Sequence, residues 1–488
     1  MKQLRPIMFV GTGSDVGKSV INTAFCRIFK QDGYSPAPFK AQNMSLNSYA
    51  TPDNLEIGRA QAVQAEACGI ACSVEMNPIL LKPSGEMSSQ VVLHGKPVGV
   101  QSSREFFNSH NRIELFKEAI KSYRKLAKKH SPMVIEGAGS ISEINLWDRD
   151  ITNMIVAEKV NAATILVTDI DKGGVFASVY GSIQLLPPKH RKLIKGILIN
   201  KFRGDESLFD DGKKIIEKLT GVPVIGMIPY FRDIFIEQED AVVLDHTNNK
   251  ARNGKINIGV VLLKHIANFT DFDTLQHIPE VNLFYAKTSG DIELADILII
   301  PGSKNTIDDM QYLHKSTIAK AIVQHHNQKK PLYGICGGYQ IMGTEISDPH
   351  GIEGSTTKIK GLDILPVYTV LNQNKKTEQC EFSFLTDESI KGKGYEIHMG
   401  NTSGNKPLCK LSTGKSDGYF LNNYTWGTYI HGIFDNSSVI ESILKHINPN
   451  IKVTLSYRDI KEKGYNQLAS LVRKNIDIDN IYNILKQK

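Results

Sequence analysis

The stretch Gly11–Ser19, GTGSDVGKS, decides the fold of the first half of the chain. It follows a short apolar run, Ile7–Val10, and precedes a stretch with helical spacing. Strand, glycine-rich loop and helix in this order form a phosphate cradle, because backbone N–H groups and the helix N-terminus face the anion. The strict pattern G-x₄-G-K-[ST] requires glycine where this chain has Thr12, so the loop is a variant. We expect a nucleotide to contact Gly11, Thr12, Gly13, Asp15, Val16, Gly17, Lys18 and Ser19.

Two residues of this loop have distinct expected roles. Lys18 would reach the β- and γ-phosphates, and Ser19 would ligate Mg²⁺. A magnesium site also needs a carboxylate, and Glu136 follows directly on the apolar run Met133–Ile135. The alternative for Glu136 is a helix-capping or loop carboxylate. The sequence therefore predicts a metal site formed by Ser19 and Glu136.

The spacing of the apolar runs along the sequence predicts an α/β fold. In the first half these runs alternate with longer helical stretches, which is typical of a parallel sheet with helices on both faces. A second series starts at Ile256–Leu263, after the polar stretch Asp245–Lys255. We expect two doubly wound domains with largely parallel sheets. The predicted boundaries are residues 1–245, a linker at 246–255, a second domain at 256–450 and a C-terminal helical tail at 451–488.

Composition excludes several classes of protein. The 488 residues are 41% hydrophobic and 22% charged, which is ordinary for a globular protein. The net charge of +7 comes from basic residues spread along the chain, so we expect no nucleic acid partner. No apolar run approaches the ~18 residues of a membrane span, and the N-terminus lacks a signal-peptide pattern. We expect no membrane span and a cytoplasmic location, while the oligomeric state stays open.

A second chemical site is centred on Cys336. The sequence LYGICGGYQ, Leu332–Gln340, places this cysteine between an apolar strand and a helix that starts with glycine. This arrangement is typical of a nucleophile elbow. A helix N-terminus favours the thiolate, and small neighbours let a substrate approach the sulfur. The partner base is expected far away in sequence, and His431 ends a strand-like run in GTYIHGIF, Gly427–Phe434.

Cysteine chemistry elsewhere in the chain is not expected. The six cysteines are few and scattered, which argues against a disulfide framework. Cys68 and Cys72 are four residues apart on a helical stretch, but no second Cys/His pair lies nearby in the sequence. We expect them to pack in a helix and to bind no structural zinc.

The second half resembles a class I glutamine amidotransferase domain. The resemblance rests on Cys336, His431 and the segment IIPGSKNT, Ile299–Thr306. It implies that the cysteine forms a glutamyl thioester and releases ammonia. It also implies an oxyanion or glutamine site near Gly302, Ser303 and Gly337. The commonest class I pattern has a glutamate two residues after the histidine, where this chain has Ile433, so we expect a Cys–His dyad with no identifiable third group.

The first half resembles two related groups of proteins. GTGSDVGKS together with EGAGS is similar to the dethiobiotin synthetase branch of P-loop proteins, which phosphorylate a substrate carboxylate or carbamate. Four further segments closely resemble the cobyric acid synthase family, and with them the resemblance covers most of residues 5–235. These segments are PFKAQNMSLNSYAT (Pro38–Thr51), EIGRAQAVQAEAC (Glu56–Cys68), MNPILLKP (Met76–Pro83) and SQVVLHG (Ser89–Gly95).

This resemblance implies a specific reaction. ATP would activate the b, d, e and g carboxylates of adenosylcobyrinic acid a,c-diamide as acyl phosphates, and glutamine would supply the ammonia. Cobalt would be present only as part of the corrinoid substrate. The alternatives are the enzyme that makes the a,c-diamide from cobyrinic acid, a regulatory glutaminase without transfer activity, and a non-enzymatic P-loop nucleotide switch. A switch would have no use for Cys336 and His431.

The matched segments also supply candidate binding residues, each with a structural alternative. Lys40 could place a second cation near the transferred phosphoryl group or form a structural ion pair. Asn200 lies where relatives of this branch read the nucleotide base. The remaining candidates could contact substrate carboxylates or amides, or could serve only as caps. They are Asn43, Asn47, Gln64 and Asp148.

Overall fold

The computed structural model describes residues 3–85, 88–102, 109–239 and 250–487. Of the predicted linker, residues 246–249 lie outside the described residues. The predicted domain boundary therefore stays a prediction. The predicted α/β class is confirmed by two separate, largely parallel sheets, one in each half of the chain.

The first half is built on a six-stranded parallel sheet in the order β12-β11-β10-β1-β9-β2. Strand β1 lies near its centre and is buried along its whole length. The strands are β1 Ile7–Gly11, β2 Ala37–Phe39, β3 Gln42–Met44, β4 Ser48–Ala50, β5 Glu56–Gly58, β6 Ile79–Gly85, β7 Ser88–Leu93, β8 Lys96–Ser102, β9 Met133–Glu136, β10 Ala163–Asp169, β11 Ile194–Phe202 and β12 Val224–Pro229. The helices are α1 Lys18–Gln31, α2 Arg59–Cys68, α3 Ser109–Ala127, α4 Met154–Val160, α5 Val175–Leu185, α6 Pro188–Arg191 and α7 Asp210–Thr220.

The second half has its own six-stranded sheet in the order β15-β13-β16-β18-β26-β25, in which only the last pair is antiparallel. Its strands are β13 Ile256–Val261, β14 Ile266–Ala267, β15 Val281–Ala286, β16 Ile297–Ile300, β17 Gly302–Ser303, β18 Leu332–Ile335, β19 Glu345–Ser347, β20 Lys358–Lys360, β21 Tyr368–Phe384, β22 Lys391–Ser403, β23 Cys409–Leu411, β24 Ser416–Asp417, β25 Tyr419–Asn422, β26 Thr425–Thr428 and β27 Ile430–His431. Its helices are α8 Ser289–Glu293, α9 Thr306–Lys315, α10 Ile318–Asn327, α11 Gly337–Met342 and α12 Ser437–Leu444.

Two further sheets were not predicted. Strands β3, β6, β7 and β8 form a four-stranded sheet in the first half, and the long hairpin β21–β22 forms the centre of a second, mostly antiparallel sheet in the second half. The two halves meet where β4 packs against β22. There, the ring of Tyr49 lies 4.8 Å from that of Tyr395, and Ser48 N donates to Asn268 Oδ1 at 3.0 Å.

The C-terminal tail packs on the first half. It forms α13, Tyr457–Asn475, and α14, Ile478–Lys486. Leu468 and Val472 are buried in the same apolar cluster as Phe25 of α1. The sequence predicts a helical tail at 451–488 but does not indicate which half it covers.

Candidate active sites

The phosphate loop takes a shape that requires glycine at one position. Gly17 has φ +96°, in the left-handed region, and a Cβ atom there would lie 2.1 Å from Asn200 Nδ2. Asn200 donates from that nitrogen to Val16 O at 2.8 Å. The structure thus places Asn200 beneath the loop, where its side-chain amide holds the loop backbone.

Lys18 folds back over the loop that precedes it. Its Nζ donates to Gly13 O at 2.8 Å and to Gly139 O at 3.0 Å. Burial lowers the pKa of this ammonium to about 8, although the carboxylate of Glu136 acts in the opposite direction. A buried cation held by backbone carbonyls lacks a full counter-charge, so an anion such as a phosphate would be attracted to it.

A cluster of four side chains lies beside this lysine. Ser19 Oγ lies 2.9 Å from Glu136 Oε1 and 3.0 Å from Glu239 Oε2. Lys40 Nζ lies 2.7 Å from Glu136 and 3.4 Å from Glu239. Burial alone would lower the pKa of Lys40, but the two carboxylates raise it above its usual value. The structural ion pair considered for Lys40 is therefore present, and it lies at the nucleotide loop.

The donors of this cluster fit Mg²⁺. The Ser19 hydroxyl and the Glu136 and Glu239 carboxylates are hard oxygen ligands, which magnesium prefers. Among the described residues no group of three or more acidic, histidine or cysteine side chains is arranged to hold a metal ion alone. Magnesium sites commonly use one or two carboxylates and take further ligands from phosphates and water.

Glu239 was missed by the sequence analysis. It is separated from Ser19 by 220 residues and follows no readable strand or glycine motif. Burial alone would raise its pKa, but Lys40 and the hydrogen bond from Asn43 lower it. Its carboxylate is therefore ionised at neutral pH and adds a second negative group to the cluster.

Three of the predicted substrate contacts converge on this cluster. Gln64 Nε2 donates to Glu136 Oε2 at 2.6 Å, and Asn43 Nδ2 donates to Glu239 Oε1 at 2.7 Å. Asn47 Nδ2 donates to the backbone oxygen of Glu239 at 2.8 Å. Gln64 and Asn43 thus hold the two carboxylates in place, and Asn47 fixes the backbone of Glu239.

The structure does not place Asp148 in the cluster at the nucleotide loop. It is exposed and lines a separate groove together with Arg112, Phe116 and Ile155. Its neighbour Asp150 accepts from the backbone N–H groups of Thr152 and Asn153 at 2.7 and 3.2 Å, which is the local capping alternative.

Cys336 lies at a sharp turn between β18 and α11. Its backbone has φ +51° and ψ −107°, which for a residue with a side chain costs of the order of 1–3 kcal/mol. Gly338 permits this turn, because a Cβ atom there would lie 1.9 Å from Ile300 O. The turn exposes the sulfur side of the residue to a cavity and has the geometry of a nucleophile elbow.

His431 and Cys336 line the same cavity, and the imidazole of His431 is hydrogen bonded to a buried carboxylate. His431 Nδ1 lies 2.7 Å from Asp271 Oδ2, and Asp271 Oδ1 accepts from Gly432 N at 3.0 Å. Since the carboxylate only accepts, Nδ1 carries a proton and Nε2 is left for the thiol. Burial alone would lower the pKa of His431, but Asp271 and Cys336 raise it to about 10.

Asp271 is a third group that the sequence analysis did not identify. It lies in a 3₁₀ helix, Phe269–His277, 160 residues before His431. Ile433, at the position of the usual glutamate, is fully buried. The carboxylate beside His431 therefore comes from a different element, and no local sequence motif identifies it.

The three remaining predicted residues line the same cavity as Cys336. A Cβ atom on Gly302 would lie 3.2 Å from His431 Cε1, and one on Gly337 would lie 2.7 Å from Ser303 N. The two backbone segments thus approach closely beside the sulfur. Their N–H groups are candidates for stabilising a developing oxyanion.

Comparisons with known proteins agree with this two-site arrangement. Residues 7–241 match the model of the CobQ/CobB/MinD/ParA nucleotide binding domain, and residues 257–439 match the CobB/CobQ-like glutamine amidotransferase domain. The chain thus combines a P-loop nucleotide-binding domain with a glutamine amidotransferase domain. No described helix is long and apolar enough to cross a membrane.

Relatives that align over their full length identify the family within this class of two-domain proteins. Three proteins named cobyric acid synthase, from Parabacteroides distasonis, Bacteroides fragilis and Phocaeicola vulgatus, are 55%, 53% and 52% identical to this chain. The alignments cover 100%, 99% and 99% of this chain and the same shares of the relatives. The chain belongs to the cobyric acid synthase family.

Proposed function

We propose that this protein amidates the b, d, e and g carboxylates of adenosylcobyrinic acid a,c-diamide, with ATP as activator and glutamine as nitrogen source. The observation that carries the proposal is the connection between two chemically different sites. Asn47 donates to the backbone of Glu239 at the nucleotide loop, and its Oδ1 accepts from Phe269 N at 3.3 Å, two residues from Asp271. A nucleotide switch would not need this second site.

The glutamine half-reaction takes place at Cys336. The thiolate attacks the side-chain carboxamide of glutamine, and the imidazolium of His431 gives its proton to the departing ammonia. The resulting glutamyl thioester is hydrolysed by water, with His431 as general base, to glutamate and the free thiol. Asp271 holds the ring in one tautomer and stabilises its positive charge.

The synthetase half-reaction takes place at the nucleotide loop. An oxygen of the substrate carboxylate attacks the γ-phosphorus of ATP, which forms an acyl phosphate and releases ADP. Ammonia then attacks the acyl carbon, phosphate leaves, and a primary amide remains. Lys18 and Lys40 supply positive charge where the phosphoryl group is transferred. The loop from Gly11 to Ser19 supplies backbone N–H donors.

Ser19, Glu136 and Glu239 would hold Mg²⁺ in this site. When bound, the ion neutralises charge on the β- and γ-phosphates. Gln64, Asn43 and Lys40 keep the two carboxylates oriented through the contacts described above.

The proposal also covers the origin of the cobalt, the absence of a nucleic acid partner and the location of the protein. Cobalt enters only as part of the corrinoid, and nucleic acid has no part in the reaction. ATP and glutamine as co-substrates favour a cytoplasmic location.

The test is a mass-spectrometric count of converted carboxylates. The native chain and Cys336→Ala are each incubated with adenosylcobyrinic acid a,c-diamide, ATP and Mg²⁺, and with glutamine or ammonium. We expect four amidations by the native chain with either donor, and by Cys336→Ala with ammonium only. ATP consumption with cobyrinic acid and none with the a,c-diamide would instead assign the chain to the preceding diamidation.

A further inference from the structure

The cavity at Cys336 is built from both halves of the chain. Its amidotransferase wall includes His431 and Gly302, and its opposite wall includes Ser48, Lys82 and Gln90 of the nucleotide-binding half. A glutamine whose amide lies at Cys336 must place its α-amino and α-carboxylate groups elsewhere in this cavity. The positions of the charged side chains in the lining determine where the α-amino and α-carboxylate groups bind.

Three lysines line this cavity, and two of them share one carboxylate. Lys82 Nζ lies 2.7 Å from Glu56 Oε1 and donates to Ser48 Oγ at 2.8 Å. Lys375 Nζ, from the other half, lies 2.5 Å from Glu56 Oε2. Burial alone would raise the pKa of Glu56, but the two lysines lower it well below its usual range. One carboxylate thus faces two ammonium groups across the contact between the halves.

The third lysine, Lys304, lacks such a partner. Its ammonium makes no hydrogen bond or ion pair within the described part of the chain, although its side chain lines the cavity. Burial and the nearby Lys82 lower its pKa. The acidic side chain among the described residues of the lining is Glu353, which accepts from Ile307 N at 3.0 Å, and burial raises its pKa to about 7. Burial likewise lowers the pKa of Lys375 to about 7, although Glu56 acts in the opposite direction. The described lining thus places three lysines beside one acidic side chain.

We propose that Lys304, supported by the Lys82–Glu56–Lys375 bridge, binds the α-carboxylate of glutamine. The carboxylate would supply the counter-charge that Lys304 lacks, and a charge-assisted hydrogen bond is among the stronger polar contacts. The α-carboxylate is three carbons away from the carboxamide, and Lys304 lines the same cavity as Cys336. The inference rests on the glutaminase chemistry proposed above.

This assignment makes the glutamine site a shared one. Lys82 belongs to β6 of the nucleotide-binding half, and Lys304 and Lys375 belong to the amidotransferase half. Separation of the two halves would leave Lys375 without its carboxylate partner, whereas Glu56 would keep Lys82. Glutamine affinity therefore depends on correct docking of the two halves.

The experiment compares two donors in three variants. Glutamate or ammonia release is measured with L-glutamine and with L-glutamine whose α-carboxylate is replaced by a carboxamide. Lys304→Met removes the charge, Lys304→Arg restores it, and Lys360→Met removes an exposed lysine of β20 as a matched control. Amidation with ammonium is measured in parallel.

We expect the native chain and Lys360→Met to prefer glutamine over its α-amide by about 10- to 100-fold in kcat/KM. Lys304→Met should lose this preference through a higher KM for glutamine at nearly unchanged kcat, and Lys304→Arg should recover part of it. An unchanged preference in Lys304→Met would overturn the inference, as would a raised KM for the corrinoid with ammonium as donor. If the native chain released nothing from glutamine, the proposed function itself would fail.

Discussion

At the scale of single residues, Asp271 determines what His431 can do. Its carboxylate fixes the imidazole from the side opposite Cys336, and the same carboxylate is anchored by Gly432 N. An aspartate in this position keeps the correct tautomer and stabilises the imidazolium. The ring of Tyr395 stacks on His431 at 5.4 Å and limits its rotation.

Asp271→Asn should lower glutamine-dependent turnover by about 10²- to 10⁴-fold, because the amide favours the wrong tautomer. Amidation supported by ammonium should persist, since the nucleotide site is unchanged. Glutamate release and ammonium-supported amidation are measured side by side, with Asp387→Asn, an exposed aspartate, as the control. Equal loss of both activities would contradict a role confined to His431.

Glu239→Gln tests the second carboxylate at the nucleotide loop. Removal of its charge should raise the Mg²⁺ concentration needed for half-maximal amidation by about 10- to 100-fold, because Glu136 would remain as the one carboxylate of the proposed metal site. Glutaminase activity at Cys336 should persist. The measurement is a Mg²⁺ titration of ammonium-supported amidation, with the exposed Glu280→Gln as control. An unchanged titration would remove Glu239 from the metal site.

The residues that the sequence identified are those with local motifs. Lys18 and Ser19 follow a strand and a glycine loop, and Cys336 stands between a strand and glycines, so backbone geometry and chemistry are encoded together. Asp271 and Glu239 carry no such signal, because only tertiary packing brings them to His431 and Ser19. Asp148 shows the reverse case, a carboxylate 12 residues after Glu136 in the sequence that lines another groove in the fold.

At the scale of elements, the turn into α11 depends on the close approach of two backbones. The oxygen of Ile300 at the end of β16 occupies the space that a side chain on Gly338 would need. The sequence predicted this elbow, since its glycines adjoin Cys336. It did not predict the long hairpin β21–β22, whose half-exposed strands lack a continuous apolar run. Hairpin pairing depends on partners that a single strand does not reveal.

Gly338→Ala should disrupt the elbow. The new Cβ would force Cys336 or Ile300 to move, at a cost of about 1–3 kcal/mol in the free energy of unfolding and with loss of glutaminase activity. Gly181→Ala in α5 is the matched control, because a Cβ there meets nothing within 4 Å. The control should be neutral or up to about 1 kcal/mol more stable. Thermal unfolding and glutamate release decide the outcome, and a fully active Gly338→Ala would refute the steric argument.

At the scale of the whole molecule, a buried ion pair connects the tail to the first half. Arg59 of α2 contacts both oxygens of Glu237 at 2.7 Å, and Tyr457 and Lys461 of α13 approach the same carboxylate. Burial alone would raise the pKa of Glu237, but Arg59 and Lys461 lower it to about 2. Arg59 without this carboxylate would be an uncompensated buried charge.

The ionised carboxylate of Glu237 should make the free energy of unfolding depend on pH in the acid range. Its folded-state pKa lies below the ordinary 4.5, so its contribution is complete above that ordinary value and disappears as pH falls towards 2. Glu237→Gln should therefore lower the free energy of unfolding by about 3 kcal/mol at pH 7. The difference between the variant and the native chain should become smaller as the pH falls from 4.5 towards 2. Urea unfolding at pH 7, 5 and 3 measures this, with the exposed Glu388→Gln as control. A difference independent of pH would contradict the assignment.

The packing of the tail has a consequence for how the protein is made. Phe25, near the start of the chain, shares its core with Leu468, Val472 and Leu485, near the end. A ribosome delivers these partners more than 440 residues after Phe25 has been synthesised. Domains generally fold as units during synthesis, N-terminal ones first, and we expect the nucleotide-binding half to be an exception. Until α13 and α14 have been synthesised, the apolar face of α1 that they cover lacks these partners.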